Sequence, residues 1–172
     1  MDEIEVKILE VNKEEIINKL ELLGAKKVFE GVLESLFFDF ENKLRNSGEI
    51  FRLRREGNKI FITHKKKIEI DKAKVMDETE VEVSDFNEAK KLIESLGFEV
   101  FTKLKKKRVS YKLKNVKFEL DEYLGEHSFV PLFLEVEAES IEGIYESIEK
   151  LGFSKEDCKP WSTKDLIEHY SA

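Results

Sequence analysis

The sequence predicts an α+β protein: a closed, antiparallel, eight-stranded β-barrel, or tunnel, with a polar, charged interior and with helices packed outside. Two observations lead to this fold class. Most strand-like stretches carry charged residues on one face and apolar residues on the other. A strand pattern with paired glutamates occurs three times, and each copy runs into a helix-like stretch. A flat sheet would leave its charged face to solvent, whereas a closed barrel encloses that face and has no edges.

Glutamate pairs mark the three repeats. The pairs are Glu3 and Glu5, Glu80 and Glu82, and Glu135 and Glu137. Residues i and i+2 of a strand point to the same face, so each pair directs two carboxylates one way and its apolar neighbours the other. The helix-like stretches end in Leu-Gly, at Leu23-Gly24, Leu96-Gly97 and Leu151-Gly152. Glycine commonly follows the last turn of a helix, so three strand–helix units are predicted.

The first half of the chain contains one strand, one helix and then a strand-rich stretch. Residues 3–11 alternate as a strand does, and Asn12 is placed to cap the following helix, with Glu15 three residues on. Further strands are predicted over residues 35–40, 49–55 and 59–67, with turns at 46–48 and 57–58. The last two of these strands form a hairpin signature.

The second half repeats the strand–helix plan twice. Strand 78–83 precedes a helix capped by Ser84 or Asp85, and strand 133–138 precedes a helix capped by Ser140. Other elements are predicted between and after them: strands over 99–103, 106–113 and 116–121, and a short helix starting near Ser162 with Asp165 in capping-box position. No linker rich in Pro, Gly or Ser divides the chain, so a single domain over residues 1–172 is expected.

Composition narrows the class of protein. A chain of 172 residues is long enough to bury a sizeable core. Its formal net charge of −7 weighs against a general nucleic-acid or membrane binder, which would usually be basic. The single cysteine, Cys158, excludes an internal disulfide, and no signal peptide or transmembrane segment is apparent, so a cytoplasmic protein is expected. Abundant Lys and Glu with no Gln favour a thermophilic source.

Acidic residues at i, i+2 spacing are the first candidates for chemistry. Besides the three repeated pairs, Glu119 and Asp121 share one strand face. Carboxylates gathered on one barrel lining repel each other and need cations, and their oxygens are ligands for divalent metals. The plainer interpretation is a set of solvated strand faces paired in places with lysine. The repetition favours the metal interpretation over the plainer one.

Basic residues on the predicted strands are the second candidates. They are Lys7, Arg52, Arg54, Lys65, Lys106 and Arg108. Each lies two residues from another base or from an acid, so these side chains share strand faces. Arginine presents a planar fork of donors to phosphate oxygens, and lysine presents a compact charge. Inward bases beside carboxylates suit a polyphosphate with its metal, although the run from Lys103 to Arg108 alone would also be typical of a solvated segment.

Taken together, these motifs resemble the CYTH superfamily, the triphosphate tunnel metalloenzymes, and most closely the class IV adenylyl cyclase branch and its archaeal relatives. The resemblance starts from the Glu3-x-Glu5-x-Lys7 signature and covers nearly the whole chain in order. Its further motifs are Phe51-Arg52-Leu53-Arg54, Ile62-Thr63-His64-Lys65, Glu80-Val81-Glu82, Lys106-Lys107-Arg108, Glu119-Leu120-Asp121-Glu122 and Leu134-Glu135-Val136-Glu137. Two stretches depart from the family pattern, the longer segment 125–131 and the lysines at 65–67, and both bear on substrate identity.

The resemblance implies roles for individual residues. Glu3, Glu5 and Glu135 or Glu137 would bind Mg2+ or Mn2+. The triphosphate would be held by Lys7, Arg52, Arg54, Lys65, Lys106 and Arg108. Glu80, Glu82 and Asp121 would complete the lining or a second metal site. Lys7 and Asp121 are the candidates for catalytic roles. The branch often forms homodimers.

The predicted activity is metal-dependent chemistry on a small-molecule triphosphate. A cyclase would convert ATP to cyclic AMP and pyrophosphate, whereas a triphosphatase would hydrolyse tripolyphosphate, thiamine triphosphate or a nucleotide. Both need charge neutralisation and in-line positioning. Two alternatives come from other classes: a non-catalytic polyphosphate or nucleotide sensor, which the acid pairs disfavour, and an RNA-binding barrel, which the net charge disfavours.

Overall fold

Eight antiparallel strands form a closed barrel in the computed structural model of this protein, which describes residues 2–70 and 74–171, without the side chains of Asp2, Glu3, Glu69, Ile70 and Lys74. The strands are β1 Asp2–Ile8, β2 Lys26–Asp39, β3 Glu49–Glu56, β4 Lys59–Ile70, β5 Lys74–Val83, β6 Glu99–Leu113, β7 Val116–Tyr123 and β8 Phe133–Ala138. Their order around the ring is β1-β5-β4-β3-β2-β6-β7-β8. The predicted eight-stranded tunnel is therefore confirmed.

Five helices lie among the described residues. They are α1 Lys13–Leu22, α2 Lys43–Ser47, α3 Phe86–Ser95, α4 Ile141–Lys150 and α5 Thr163–Tyr170. Three of them follow the glutamate strands, as predicted, and their caps accept a backbone N–H three residues on. The glycines that end these helices have φ of 81°, 93° and 91°, a region that an L side chain rarely adopts. None of the described helices combines the length and the apolar character needed to cross a membrane.

Apolar side chains point out of the barrel and pack beneath the helices. Val6, Phe118 and Leu134 lie on the outer face of β1, β7 and β8, where Ile16 of α1 and Ile148 of α4 cover them. A second cluster joins outward residues of β2 and β3, Phe38 and Leu53, to Ala89 and Ile93 of α3. Because the apolar faces are used on the outside, the charged faces of the same strands are left to line the interior.

A third cluster closes part of one end of the barrel. Leu166 of α5 is fully buried against Tyr123 and Phe133, with Trp161 packed beside them. Backbone hydrogen bonds of 2.9 and 2.8 Å join Lys7 of β1 to Lys159 and hold the segment before α5 against the barrel. The end of β1, the end of β7 and the start of β8 are therefore covered by the last helix.

Several predicted boundaries need correction. β1 ends at Ile8 rather than at residue 11, and β5 begins at Lys74 rather than at residue 78. β2 begins at Lys26 rather than at residue 35, because its first half pairs with β6 outside the region where alternation is clear. β6 is one strand of 15 residues rather than two, and its lysine run alternates between inward and outward positions. The turn predicted at 46–48 overlaps the end of the short helix α2, which Gly48 caps with φ of 73°.

Candidate active site

The tunnel encloses a cavity of about 530 Å³, and charged side chains dominate its lining. Eight basic residues face it: the six predicted ones, namely Lys7, Arg52, Arg54, Lys65, Lys106 and Arg108, together with Lys112 and Lys117. Among the described side chains, seven carboxylates face it: Glu5, Glu78, Glu80, Glu119, Glu135, Glu137 and Glu139. Strand alternation explains most of this arrangement, since the bases and carboxylates of one strand line the cavity at every second position, as Arg52 and Arg54 or Glu135 and Glu137 do.

Two arginines of β3 form one wall of the cavity. The Arg54 guanidinium lies 3.3 Å from Glu80, which also accepts a hydrogen bond of 2.8 Å from Thr63. Arg52 makes only a 3.5 Å contact with Thr63 and a 4.0 Å approach to Glu80. The Nε atoms of both arginines are buried and have no hydrogen-bond partner in the described part of the chain. Burial and the neighbouring Arg54 lower the pKa of Arg52 to about 10.

The facing wall combines carboxylates with Lys7. β8 lies four places from β3 in the ring of eight strands, so its glutamates face the arginines across the tunnel. Lys7 is buried and contacts Glu135 at 2.6 Å and Glu5 at 3.3 Å. Burial alone would lower the pKa of Lys7, but Glu135 and Glu5 outweigh it and raise that pKa. Burial would likewise raise the pKa of Glu135, but Lys7, Lys106 and Arg108 hold it well below its ordinary value.

Four carboxylates meet on this wall. Glu5 stands opposite Glu137 in the β1–β8 register, and Glu119 stands opposite Glu135 in the β7–β8 register. Lys117 lies 2.7 Å from Glu119 and 3.9 Å from Glu137, so it offsets part of their charge. Carboxylate oxygens from adjacent strands are hard ligands of the kind that Mg2+ and Mn2+ prefer. The donor set therefore fits a divalent metal, although no ready-made group of three ligands is assembled among the described residues.

Asp121 lies behind the lining rather than in it. Its carboxylate is fully buried and accepts hydrogen bonds from Lys106 at 2.5 Å and from the Arg108 Nε at 2.6 Å. Arg108 also contacts Glu119. Burial and the adjacent Arg108 lower the pKa of Lys106, against the opposing pull of Asp121. Asp121 thus fixes the direction in which two cations of the lining point.

Most of the predicted site residues line the cavity together. Two residues do not, and the side chain of a third is not among the described ones. Glu82 does not line the cavity; its side chain is 56% exposed and lies 3.7 Å from Lys59. Asp121 is set behind two bases, as described above. The side chain of Glu3 lies outside the described part of the chain. Every other predicted site residue lines the cavity.

Sequence reasoning missed four charged residues of the described lining, Glu78, Lys112, Lys117 and Glu139, and two of them belong to ion pairs at the site. Glu78 faces the cavity and lies 2.8 Å from Lys65. Lys117 contacts Glu119, one of the four carboxylates on the wall opposite the arginines. Glu78 and Lys117 stand two residues before the recognised acids Glu80 and Glu119, so the same period-two rule would have found these two. His64 points away from the tunnel to Glu49 at 2.7 Å, as its position beside an inward Lys65 predicts.

Comparisons with known proteins agree with this architecture. Residues 1–159 match the family model of the CYTH domain. A Methanocaldococcus jannaschii protein named "Putative adenylate cyclase" is 30% identical over 139 residues, which cover 80% of this chain and 77% of that protein. A solved structure from Pyrococcus horikoshii is 33% identical, with a TM-score of 0.78, over 96% of this chain and 98% of that one. The chain therefore belongs to the CYTH family.

A more distant structure shows that the fold is shared more widely. The Hippeastrum protein HpAC1, described as an adenylyl cyclase candidate with a dominant triphosphatase activity, is 16% identical to this chain with a TM-score of 0.66. The match covers 98% of this chain and 95% of that one. At this identity the likeness concerns the fold.

Proposed function

We propose that this protein is a metal-dependent enzyme that acts on a triphosphate inside the tunnel, as an adenylyl cyclase or a triphosphatase. The observation that carries the proposal is the pair of buried arginine donors on β3. The Nε atoms of Arg52 and Arg54 are buried without a partner, and burying such donors costs free energy. Phosphate oxygens accept hydrogen bonds from a guanidinium fork, so a polyphosphate chain satisfies both donors.

The charge balance of the lining supports a metal partner. Among the side chains that the structure describes, eight bases against seven carboxylates leave the lining close to neutral, so these groups do not by themselves offset the several negative charges of a triphosphate. Glu5, Glu119, Glu135 and Glu137 would hold Mg2+ or Mn2+ on the wall opposite the arginines. The metal would supply charge neutralisation at the phosphate oxygens.

The side chains of the tunnel supply positioning and fixed charge. Arg52 and Arg54 hold phosphate oxygens from one wall, and Lys106 and Arg108, fixed by Asp121, hold them from another. Lys7 stays protonated because Glu135 and Glu5 stabilise its charge, so it serves as a cation rather than as a base. Such a frame of charges set in place before the reaction stabilises the charge that develops in phosphoryl transfer.

The two chemistries differ in the attacking group. In a cyclase the ribose 3′-hydroxyl attacks the α-phosphorus of ATP and pyrophosphate leaves. In a triphosphatase water attacks the terminal phosphorus and orthophosphate leaves. The name of the archaeal relative favours the first, and the frame of charges serves both.

Product analysis tests the proposal. Purified protein is incubated separately with ATP and with tripolyphosphate, with Mg2+ or Mn2+ and with chelator as control. Cyclic AMP with pyrophosphate identifies a cyclase, and orthophosphate without cyclic product identifies a triphosphatase. Absence of metal-dependent turnover on either substrate contradicts the proposal.

A matched pair of arginine variants tests the phosphate contact. Arg54→Ala removes a lining cation, whereas Arg55→Ala removes its neighbour, which points outward and lies 4.7 Å over the Phe86 ring. Because a hydrogen bond to a charged group contributes about 1.5–3 kcal/mol, Arg54→Ala should weaken tripolyphosphate binding roughly 10- to 100-fold. Equal affinities in the two variants would remove Arg54 from the phosphate site.

A further inference from the structure

Two apolar side chains on adjacent strands, Phe37 and Ile50, form an apolar rim in the charged lining of the cavity. Phe37 of β2 and Ile50 of β3 face the cavity, among lining residues that are otherwise almost all charged or polar. Phe37 stands opposite Arg52 in the β2–β3 register, and Ile50 stands opposite Lys65 in the β3–β4 register. Residues opposite each other on one sheet face have their Cβ atoms about 5 Å apart. The apolar rim is therefore directly next to the phosphate-binding wall.

The Phe37 ring is held in place by an aromatic and cationic stack. Its centroid lies 6.4 Å from that of Phe101, at an interplanar angle of 60°. The Arg45 guanidinium lies 4.4 Å over the Phe101 ring and is itself fixed by Asp39 at 2.7 Å. Phe101 is the extra residue at the register shift where Phe37 pairs with Thr102, and such bulges redirect side chains. Because this stack already orders the Phe37 ring, a ligand that binds to the ring pays little entropy for immobilising it.

Core packing does not account for this aromatic pair. Neither Phe37 nor Phe101 belongs to the three apolar clusters that hold the helices on the barrel, and Phe101 is 42% exposed. Phe38 and Phe51, which stand opposite each other on the outward faces of β2 and β3, are both in the α3 cluster. An ordered ring that lines a polar cavity without joining the core offers a free π-face to a ligand.

We infer that Phe37, supported by Phe101 and Arg45, is the stacking platform for a planar heteroaromatic ring, so that the substrate is an organic triphosphate such as a nucleotide rather than inorganic tripolyphosphate. This inference rests on the proposed function. A triphosphate held by Arg52 and Lys65 brings its esterified end over Phe37 and Ile50. Aromatic side chains stack on any nucleobase, and stacking of this kind contributes substantially to affinity.

Ligand titrations of Phe37 variants test the platform. Binding of ATP, thiamine triphosphate and tripolyphosphate is measured by calorimetry with Ca2+, which offers the carboxylates a divalent charge. Phe37→Ala should weaken ATP or thiamine triphosphate binding roughly 10- to 100-fold and leave tripolyphosphate within about twofold. Phe37→Trp should keep the affinity of wild type. Whichever of ATP and thiamine triphosphate loses more affinity in Phe37→Ala carries the heteroaromatic ring that stacks on Phe37.

The control is Phe40→Ala, which removes a partly exposed ring that pairs with Phe98 and does not line the cavity. It should change no affinity. Equal losses for tripolyphosphate and the organic triphosphates, or no loss for any, would overturn the platform while leaving the proposed function intact. Failure of the wild-type protein to bind any triphosphate would overturn the proposed function itself.

Discussion

Arg52 is a buried cation that the tunnel side chains satisfy only in part. Its Nε has no partner among the described residues, it approaches Glu80 only to 4.0 Å, and burial together with Arg54 lowers its pKa to about 10. A base whose pKa is lower in the fold than in the unfolded chain destabilises the fold while it is charged. The residue is therefore kept at a cost in stability, as is common for binding residues.

Replacing Arg52 with methionine should separate stability from binding. Methionine fills similar space without a buried charge, so Arg52→Met should raise the free energy of unfolding by about 1 kcal/mol. Urea denaturation without added triphosphate measures this, and titration with tripolyphosphate should show at least a roughly tenfold loss of affinity. Arg55→Met is the control on the outward face. A less stable Arg52→Met protein would mean that the arginine stabilises the barrel.

Glu5 is the lining carboxylate that tests the metal-binding wall at the level of one residue. Glu5→Gln removes one negative charge and keeps the shape, so metal-dependent turnover should be lost while the circular dichroism spectrum is unchanged. Glu34→Gln, on the outer face of β2 beside Lys105 at 2.8 Å, is the matched control. Activity of Glu5→Gln equal to that of the control would remove Glu5 from the metal site.

Helix α5 is the element that closes part of the tunnel. Thr163, the first residue of α5, lines the cavity, and burial raises the pKa of Tyr123, which packs against α5, to about 12. Ser162 and Asp165 form a reciprocal capping box, so the start of the helix is fixed locally. The first residue of α5 therefore forms part of the lining of the cavity that Lys7 also faces.

Truncating the buried anchor of α5 should be costly. Leu166 is fully buried, and Leu166→Ala should lower the free energy of unfolding by about 2–4 kcal/mol because it leaves a cavity. Glu168→Ala, in an exposed pair with Lys164, should change it by less than about 0.5 kcal/mol. Chemical denaturation compares the two variants. Similar small effects would mean that α5 is only loosely attached to the barrel.

The elements that could be predicted from sequence are those with local signals. Asn12, Asp85 and Ser140 mark three helix starts, and the Leu-Gly pairs mark their ends, because caps are read within a few residues. β6 was split at its lysine run because charge hides alternation when both faces carry lysine. Lys106 and Arg108 face inward, whereas Lys105 and Lys107 are exposed.

The barrel as a whole depends on opposed charges that stay ionised. Burial would raise the pKa of both Glu119 and Glu135. Arg108 and Lys117 outweigh burial at Glu119 and lower its pKa. Lys7, Lys106 and Arg108 do the same at Glu135. A carboxylate with a lowered pKa in the fold contributes stability above its unfolded pKa of 4.5, and that stability is lost as pH falls through the folded value. Lys7 and Lys117 have raised pKa values, so their contribution is lost only at strongly alkaline pH.

Acid should therefore destabilise the wild-type protein, and a variant should reduce the effect. The free energy of unfolding should fall as pH drops below about 4.5. Glu135→Gln should be less stable at neutral pH, because Lys7 loses its closest partner, and should show a shallower pH dependence between about pH 3 and 5. Urea melts at stepped pH measure both slopes. Parallel curves would mean that Glu135 does not carry this linkage.

At the scale of the whole molecule, alternation and repetition are enough to predict a closed barrel with a charged interior. They do not predict whether a given inward side chain reaches the cavity lining. Asp121 has the same spacing as Glu119, yet it lies behind Arg108 and Lys106 rather than in the lining. Glu82 shares a strand face with Glu80 but lies outside the cavity lining. Position along the barrel axis is set by strand register and tilt, which arise only from long-range pairing.

A crystal structure with tripolyphosphate and Mn2+ tests the central claim most directly, because anomalous scattering locates the metal independently of the phosphate. The account predicts manganese on the wall of Glu5, Glu119, Glu135 and Glu137, with phosphate oxygens within hydrogen-bond distance of the Arg52 and Arg54 guanidinium groups. Manganese bound elsewhere, or phosphate bound outside the tunnel while both arginine Nε atoms keep no partner, would contradict it.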